Sequence, residues 1–236
     1  MNLRSNAIVS RAARRARHVL VAGLSLAAMI TTGANASEGG ASVYPAGVET
    51  ILRGRMPGPG ASMFLGFNNF YASNSTVASR GETLVPGFHP RVSAVAFKLA
   101  HNWGVKLFGG ALVSSLAVPV VDIHFSAPFG TQHKIGVSNP APETLVAYKI
   151  GSLHWWYGVE VFTPGFSSKK TDLVNIGQHN YAAAPSAAFS YLPNHGTTER
   201  SSEFQHIVNY RNDATQYRSG DELVWDYDAM RNVSRA

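Results

Sequence analysis

The chain contains 236 residues, no cysteine, and 20 Lys and Arg against 14 Asp and Glu. Without cysteine there is neither a disulfide framework nor a thiolate metal site. Five of the arginines lie between Arg4 and Arg17, so the rest of the chain carries 15 basic against 14 acidic residues. The remainder is nearly neutral, which argues against nucleic acid as a partner.

Residues 1–36 are predicted to be a secretory signal peptide. An arginine-rich start without acidic residues precedes an apolar run from Val19 to Ile30, and Ala34-Asn35-Ala36 is a small-x-small cleavage site. The apolar run is shorter than the roughly 20 residues that a spanning helix needs, which makes a membrane anchor the weaker alternative. We therefore expect an exported protein.

Residues 37–60, which follow the signal, are rich in Gly and Pro and predict an irregular segment. No run of about 18 uninterrupted apolar residues occurs after it, so no helical membrane span is predicted. An exported chain of this size without disulfides needs another source of stability, such as a sizeable core or a barrel closed in a bilayer.

The stretch from Leu153 to Leu192 has the clearest periodicity. In its first arm, residues 153–162, every second residue is large and apolar. In its second arm, residues 181–192, every second residue is small or polar. A period of two is typical of strands with two unlike faces. Strands of about 9 to 11 residues with one apolar face are the units of transmembrane β-barrels, and a soluble sandwich would give a similar alternation. The apolar positions of the first arm are Leu153, Trp155, Tyr157, Val159 and Val161.

The rest of the chain contains further strand candidates between turn formers. A hairpin turn is expected at Asn102-Trp103-Gly104, and Gly109-Gly110 inside a strand is interpreted as a bulge or a tightly curved wall. About nine strands and no amphipathic helix favour an up-and-down antiparallel sheet. Short turns such as Gly151-Ser152 alternate with longer loops, as in outer-membrane barrels. The predicted strands lie at about 60–71, 91–99, 105–113, 120–125, 146–150, 153–162, 181–192, 203–211 and 222–228, and the longer loops at 72–90, 164–180 and 193–202.

Spaced Gly, Pro, Asn and aromatic residues resemble those of a known family. They occur in Tyr44-Pro-Ala-Gly47, Pro57-Gly-Pro-Gly60, Asn68-Asn69, Thr163-Pro-Gly165, Asn175-Ile-Gly-Gln-His-Asn-Tyr181, Asn209-Tyr210 and Thr215-Gln-Tyr-Arg-Ser-Gly-Asp-Glu222. In these segments the chain resembles the outer-membrane proteins named for the meta-cleavage pathway of phenol degradation. The resemblance implies an outer-membrane β-barrel that passes hydrophobic or aromatic compounds, and it brings no catalytic residues.

The end of the chain departs from this family. Members continue for several more strands and present an aromatic C-terminal strand to the barrel-assembly machinery, whereas this chain ends at Arg231-Asn-Val-Ser-Arg-Ala236. An open sheet edge is costly in lipid because its backbone N–H and C=O groups meet no water. We therefore expect a shortened member whose barrel does not close and which inserts poorly.

The fold predicted from these observations is all-β, an antiparallel up-and-down transmembrane β-barrel in residues 61–236 that is incomplete, with about nine strands visible. The predicted function is a channel or transporter for small hydrophobic or aromatic compounds in the outer membrane of a Gram-negative bacterium. Its expected partners are outer-membrane lipid and the barrel-assembly machinery. A soluble periplasmic or secreted β-sandwich binding protein is the alternative, and an outer-membrane hydrolase is a more distant one.

Motifs for enzymatic chemistry are not found. None of the nine histidines occurs in H-x-H or H-E-x-x-H spacing, so no metal site is predicted. Ser167-Ser-Lys-Lys170 matches S-x-x-K by letter, but it lies in a polar loop without partner motifs. There is no G-x-S-x-G, P-loop or dinucleotide fingerprint. We therefore predict no catalytic residue and no cofactor.

Polar and aromatic residues at strand positions are the better functional candidates. Polar side chains opposite apolar stripes are expected to face a barrel lumen and to tune what passes, unless they form the wet face of an ordinary half-buried sheet. Tryptophans near strand ends are expected in aromatic girdles, or as core anchors in a sandwich. The candidate lumen residues are Lys98, Asp122, Glu160, Glu203, Arg211, Glu222 and Asp226, and the candidate girdle residues are Trp103, Trp155, Trp156 and Trp225.

The two faces of the first arm predict different tolerance of charge. An arginine on the lipid face, Tyr157→Arg, should cost roughly 2 to 4 kcal/mol. Gly158→Arg on the lumen side should cost less, unless the new side chain clashes.

Overall fold

The computed structural model describes residues 37–38, 42–77, 80–166, 169 and 171–231; the predicted signal peptide, Ser167 and Lys170 lie outside these residues. A short 3-10 helix spans Asn194–Gly196. Among the described residues, no helix is long and apolar enough to cross a membrane. The strands are β1 (Ser62–Ala72), β2 (His89–Leu107), β3 (Gly110–Ala127), β4 (Gly130–Val137), β5 (Ala141–Ile150), β6 (Leu153–Phe162), β7 (Ala182–Tyr191), β8 (Thr198–Asn209) and β9 (Glu222–Arg231).

All nine described strands belong to one sheet, and every pairing is antiparallel. The order is β1-β2-β3-β5-β6-β7-β8-β9, and β4 pairs with β3 beside this path. The sheet curls into a half-barrel, consistent with an incomplete β-barrel. The prediction of an all-β, up-and-down antiparallel fold is therefore confirmed.

The first long hairpin turns at a different place from the one predicted. β2 runs straight through Asn102-Trp103-Gly104, with only a shift of register between Asn102 and Lys106. The chain reverses instead at Phe108 and Gly109, whose φ angles are 50° and 83°. Two successive left-handed residues are the requirement of a type I′ hairpin turn. Gly109 is thus a turn residue, and the prediction of a bulge inside a strand there is wrong.

β3 and β4 also differ from the prediction. The strand predicted at 105–113 is divided: residues 105–107 end β2, and residues 110–113 begin β3, which also contains the strand predicted at 120–125. The first half of β3 pairs with β5, and its second half pairs with β4. β4 was not predicted because its sequence, Gly-Thr-Gln-His-Lys-Ile-Gly-Val, has no continuous apolar stripe. Pairing with β3 holds it in place despite this composition.

The two ends of the sheet carry different connections. At one end, the short-turn end, the chain reverses at 108–109, 151–152 and 192–197. At the other, the long-loop end, it runs through 73–88, 163–181 and 210–221. The β3–β4 hairpin, with its turn at 128–129, also projects toward the long-loop end.

The outer face of the sheet is apolar and open to its surroundings. Tyr157 and Val159, from the stripe predicted to face lipid, are exposed here, and Trp155 stacks on Tyr148 with ring centroids 4.2 Å apart. Other exposed apolar residues on this face are Phe64, Phe97, Leu99, Leu116, Phe189, Tyr191, Phe204, Leu223, Trp225 and Tyr227. A continuous apolar surface of this kind marks contact with lipid or with another protein.

The inner face is covered by residues 42–61, which we call the inner segment. This segment has no strand, as predicted for a Gly- and Pro-rich stretch. Small apolar clusters join it to the sheet: Tyr44 packs with Phe162 and Ile207, and Met56 packs against the cluster around Trp156. These two parts of the core therefore lie between the sheet and its own N-terminal segment.

Candidate functional site

The inner segment crosses the inner face from the long-loop end to the short-turn end. Near its start, the Gly47 N–H donates to both carboxylate oxygens of Asp226 on β9. Near its finish, Asn102 Nδ2 of β2 donates to the Pro57 carbonyl at 2.8 Å, and the Gly60 N–H donates to the Asn102 carbonyl. These contacts fix both ends of the segment to the sheet.

Arg53 is the centre of the contacts in between. Its Nη1 lies 2.7 Å from Glu49 Oε2, and its Nη2 lies 3.1 Å from Glu143 Oε1 on β5. Its Nε and Nη2 donate to the two oxygens of Glu203 on β8, at 2.5 and 2.8 Å. Only 6 % of Arg53 is exposed. The guanidinium thus makes the planar, two-point contact with a carboxylate that arginine favours at buried positions.

Lys98 of β2 supplies the second buried cation. Its Nζ lies 3.0 Å from Glu49 Oε2, 3.0 Å from Glu143 Oε2 and 4.0 Å from Glu160 Oε1. Glu49 and Glu143 therefore each bridge Lys98 and Arg53. We call the six side chains together the ion cluster: Glu49, Arg53, Lys98, Glu143, Glu160 and Glu203.

Curvature of the sheet makes this cluster possible. β2 and β8 are five strand spacings apart in the sheet order, which would be about 24 Å if the sheet were flat. Lys98 and Glu203 nevertheless both contact the Glu49–Arg53 pair. The half-barrel turns the inner side chains of distant strands toward one another, and the inner segment fills the remaining space.

The cluster contains four carboxylates and two cations, all buried. Burial by itself lowers the pKa of Arg53, but the neighbouring Glu49, Glu143 and Glu203 carboxylates outweigh it and raise that pKa well above its ordinary value. Arg53 is therefore a permanent charge. Its removal would leave buried Glu203 without its paired cation, and Glu49 and Glu143 with Lys98 alone.

Tyr44 forms a separate contact nearer the long-loop end. Its hydroxyl donates to Asp226 Oδ2 at 3.0 Å. Burial, together with the charges of Glu203, Glu49 and Asp226, raises the pKa of Tyr44 far above its ordinary value. The phenol stays protonated, so it remains a donor to Asp226.

Gly54 allows the backbone of the inner segment to touch the sheet. Its N–H donates to Ser190 Oγ at 2.8 Å. A Cβ at this position would lie 2.3 Å from the Ser190 nitrogen and 2.6 Å from the His154 carbonyl oxygen. Beside it, Trp156 Nε1 donates to the Arg53 carbonyl at 2.7 Å, and the Arg53 guanidinium lies 4.6 Å from the Trp156 ring centroid. Only glycine permits this approach.

A pocket of about 690 Å³ lies at the short-turn end of the inner face. The inner segment contributes Arg55 and Met56 to it, and the sheet with its turns contributes Lys149, His154 and Leu192. The pocket combines apolar walls with polar and positively charged groups, and a concave site of this volume can hold a small organic molecule.

The predicted lumen residues are divided between the faces. Lys98, Glu160, Glu203 and Asp226 lie on the inner face and are buried against the inner segment. Glu222 lies at the start of β9, half-buried, and its Oε1 accepts from Asn209 Nδ2 at 3.1 Å.

Two of the predicted lumen residues are placed elsewhere. Asp122 lies on the outer face, because beyond Ala117 the apolar side of β3 faces inward, where Val121 and Ile123 pack on Ile176 of the 163–181 loop. Arg211 lies beyond the end of β8, exposed, in an isolated bridge with Arg218.

The predicted girdle residues are divided as well. Trp103, Trp155 and Trp225 lie on the outer face, with Trp103 and Trp225 more than half exposed. Trp156 lies on the inner face and is fully buried, because successive residues of β6 point to opposite faces. Its indole instead supports Arg53, so its assignment to a girdle is corrected.

No sequence pattern predicted Glu49, Arg53 or Glu143 as site residues. Glu49 and Arg53 stand four residues apart with opposite charge, a spacing that could have been noticed. Glu143 shares one face of β5 with the apolar residues Ala141 and Leu145. Neither pattern indicates that the three side chains meet, because their contacts join distant parts of the chain.

A second group of side chains, of the types that bind metal ions, lies on the outer face at the long-loop end. Asp122, His124 and His133 place their ligand-type atoms within 4.8 Å of one another. His133 comes from β4, the strand that was not predicted, so its position beside Asp122 and His124 was not predicted either. The pairing of His124 with His133 across β3 and β4 brings it together.

Comparison with known proteins adds a family to this description. Residues 73–236 match the family described as "Putative MetA-pathway of phenol degradation", which is well over half of the chain. The chain belongs to this family. No curated protein and no solved structure gives a match. The part that matches the phenol-degradation family begins just after β1, so the inner segment with Glu49 and Arg53 precedes it.

Proposed function

We propose that this member of the phenol-degradation family is an outer-membrane channel for small hydrophobic or aromatic molecules, with the inner segment as its plug. The observation that carries the proposal is the distribution of polarity over the sheet. Lys98 on the inner face is 2 % exposed, whereas Trp225 on the outer face is 73 % exposed. A sheet stable in water would have the opposite arrangement.

The apolar outer face fits lipid as its surroundings. Alternation of apolar outward residues with polar inward residues is characteristic of outer-membrane barrels. The stacked pair of Tyr148 and Trp155 lies close to the turn at 151–152, at the height where such barrels carry aromatic girdles. We therefore propose outer-membrane lipid and the barrel-assembly machinery as partners.

The soluble alternative finds less support. A β-sandwich consists of two sheets packed face to face, whereas the described strands form one sheet whose inner face is covered by an irregular segment. The outer face would remain bare in water.

The inner segment gives the channel a closed state. It occupies the space along the inner face through which a molecule would pass, and it is held there by ion pairs and hydrogen bonds. The strands pair with one another without its help. We infer that passage requires the segment to shift, and that the pocket at the short-turn end receives the molecule beside it.

The family name links the chain to phenol degradation, and this suggests phenolic compounds as the first candidates for passage. Such a molecule is mostly apolar with one hydroxyl group. Apolar walls with hydrogen-bonding groups, as in the pocket, suit that chemistry.

Cell fractionation tests the location. We expect the full-length protein in the outer-membrane fraction, released by detergent. Recovery in the soluble periplasm without detergent would rule out the channel.

Closure of the sheet into a complete barrel is a separate requirement for the channel. Among the described strands, β1 and β9 each leave one edge unpaired, and in lipid such an edge must find a partner. Heat-modifiable migration on a gel, which marks a closed barrel resisting detergent, is expected if the channel forms. Its absence would contradict the proposed channel.

Uptake of a labelled alkylphenol by cells with an intact outer membrane tests passage. Cells that produce the protein should take up the compound faster than cells with an empty vector. The difference should disappear after the outer membrane is permeabilised, since the barrier that the channel bypasses is then gone. Equal uptake with and without the protein in intact cells would contradict the proposed function.

A further inference from the structure

We propose that Asp122, His124 and His133 form a binding site for a divalent transition-metal ion such as Zn²⁺, on the outer face of the β3–β4 hairpin. The site lies apart from the ion cluster and the pocket, and it does not depend on the proposed channel function. It rests on the geometry of the three side chains, on their chemistry and on their position in the fold.

The geometry is close to that of a metal site. Asp122 Oδ1 lies 2.7 Å from His133 Nε2 and 3.4 Å from His124 Nε2. Two ligands of one tetrahedral zinc ion, each about 2.0 to 2.1 Å from the metal, lie roughly 3.3 Å from each other. To bind one ion, the two stacked imidazole rings must turn so that their in-plane lone pairs converge on it.

The backbone holds the three residues in this arrangement. Asp122 and His124 are two positions apart on β3, so both project from the same face. His133 lies directly opposite His124 in the antiparallel pair with β4. The two imidazole rings are stacked, with centroids 3.8 Å apart and planes 12° apart. Sites built on strands keep their ligands in place better than sites built on loops.

The ligand set determines which ion fits. Two imidazole nitrogens and one carboxylate oxygen suit Zn²⁺, Cu²⁺, Ni²⁺ and Co²⁺, whereas Ca²⁺ and Mg²⁺ prefer oxygen ligands. Both histidines are more than half exposed, and Asp122 is about a third exposed. An ion can therefore enter from solvent, and water can complete its coordination.

The site lies where polar and apolar residues of the outer face meet, because the exposed Ile135 of β4 is opposite Asp122. His89 and Arg91 of β2 lie on this face too, and Arg91 is opposite His124. The Arg91 cation opposes a bound metal ion, but at an exposed position salt and water screen that repulsion. The carboxylate of Asp122 offsets part of the ion's charge.

A bound ion would join β4 to β3 at the long-loop end. On the other face of the same hairpin, Lys134 pairs with Asp172, and Gln132 Oε1 accepts from the Val174 N–H. The hairpin therefore supports the 163–181 loop on its inner side. Metal binding on the outer side would stiffen the wall against which that loop packs.

Electron paramagnetic resonance of Cu²⁺ added to the full-length protein in detergent tests the site. We expect one equivalent of bound Cu²⁺ with hyperfine coupling to two imidazole nitrogens. A spectrum with one nitrogen, or no saturable binding of Cu²⁺ or Zn²⁺ even at millimolar concentration, would overturn the proposal.

Substitutions give an independent test. His124→Ala, His133→Ala and Asp122→Asn should each lower the affinity for Zn²⁺ by at least an order of magnitude in calorimetric titration. His206→Ala is the matched control, because His206 also faces a carboxylate, with its Nε2 3.5 Å from Asp221, and it should bind as wild type does. Zn²⁺ should raise the melting temperature of wild type and of the control only. Unchanged binding in the three variants, or an equal loss in the control, would contradict the site.

Discussion

Arg53 and Glu203 are 150 residues apart in the sequence, and their side chains meet in a two-point ion pair on the inner face of the sheet. The pair joins the inner segment to β8, and through Glu49 and Glu143 it is continuous with Lys98 on β2. One guanidinium thus connects the inner segment with both sides of the half-barrel.

Removal of this guanidinium should release the inner segment from the sheet. Arg53→Met leaves three buried carboxylates without their main cation, which should destabilise the folded protein by about 3 to 5 kcal/mol. We expect a lower free energy of unfolding in detergent and faster proteolysis within residues 42–61. Arg55→Met is the matched control, since Arg55 belongs to the same segment but is exposed. Similar behaviour of the two variants would show that the ion cluster does not hold the segment.

A methyl group at Gly54 should displace the segment by steric conflict. The Cβ of Gly54→Ala would lie far inside contact distance of the backbone of Ser190 and His154, and such overpacking typically costs about 1 to 3 kcal/mol. Gly58→Ala, where a Cβ meets nothing within 4 Å, should have little effect. Urea unfolding of both variants in detergent measures the difference, and equal midpoints would be inconsistent with the close approach at Gly54.

An arginine in the apolar outer face should be poorly tolerated in lipid. Tyr157→Arg near the middle of β6 should cost roughly 2 to 4 kcal/mol in a bilayer, whereas Tyr210→Arg, an exposed tyrosine beyond the end of β8, should cost less than about 1 kcal/mol. Refolding into lipid vesicles measures both. Equal penalties would argue that the outer face does not contact lipid.

Gly158→Arg is not a suitable comparison. A Cβ at Gly158 would lie 2.5 Å from Leu145 Cβ and from the Thr144 carbonyl oxygen. The variant therefore clashes, and its cost would report packing rather than the side of the sheet.

Acid should loosen the 163–181 loop only at a pH below the usual pKa range of an aspartate. The hydrogen bond from Lys134 lowers the pKa of Asp172 below its ordinary value of 3.8. A depressed pKa contributes stability that is complete above the ordinary value and is lost as pH falls through the lower one. Protease sensitivity of the loop should therefore stay constant from neutral pH down to about pH 4 and rise below it.

Asp172→Asn supplies the comparison for the loop. It removes the charge at all pH values, so its loop should be more sensitive than that of wild type already at neutral pH. Wild-type sensitivity that rises well above pH 4 would mean that another group controls the loop.

The sequence by itself determined the strands with clear alternation and the unlike character of their faces. β6 was predicted at 153–162 and β7 at 181–192, and the structure agrees closely, because a period of two depends only on neighbouring residues. The irregular character of residues 42–61 followed in the same way from Gly and Pro.

Alternation alone could not decide which face of a strand points inward. The apolar residues of β6 point outward, whereas Val121 and Ile123 of β3 point inward against Ile176. Both strands alternate apolar and polar residues. They differ only in what their apolar face contacts: the surroundings for β6, and the 163–181 loop for β3. Asp122 was placed on the wrong face for this reason.

The ion cluster and the histidine pair depended on tertiary structure alone. Glu49, Arg53, Lys98, Glu143, Glu160 and Glu203 meet because a curved sheet turns distant strands toward one segment. His124 and His133 meet because β4, which has no apolar stripe to predict it, pairs with β3 in one particular register. Local sequence specifies a strand, but register and curvature arise from contacts between strands, and these bring the charged and metal-ligating side chains together.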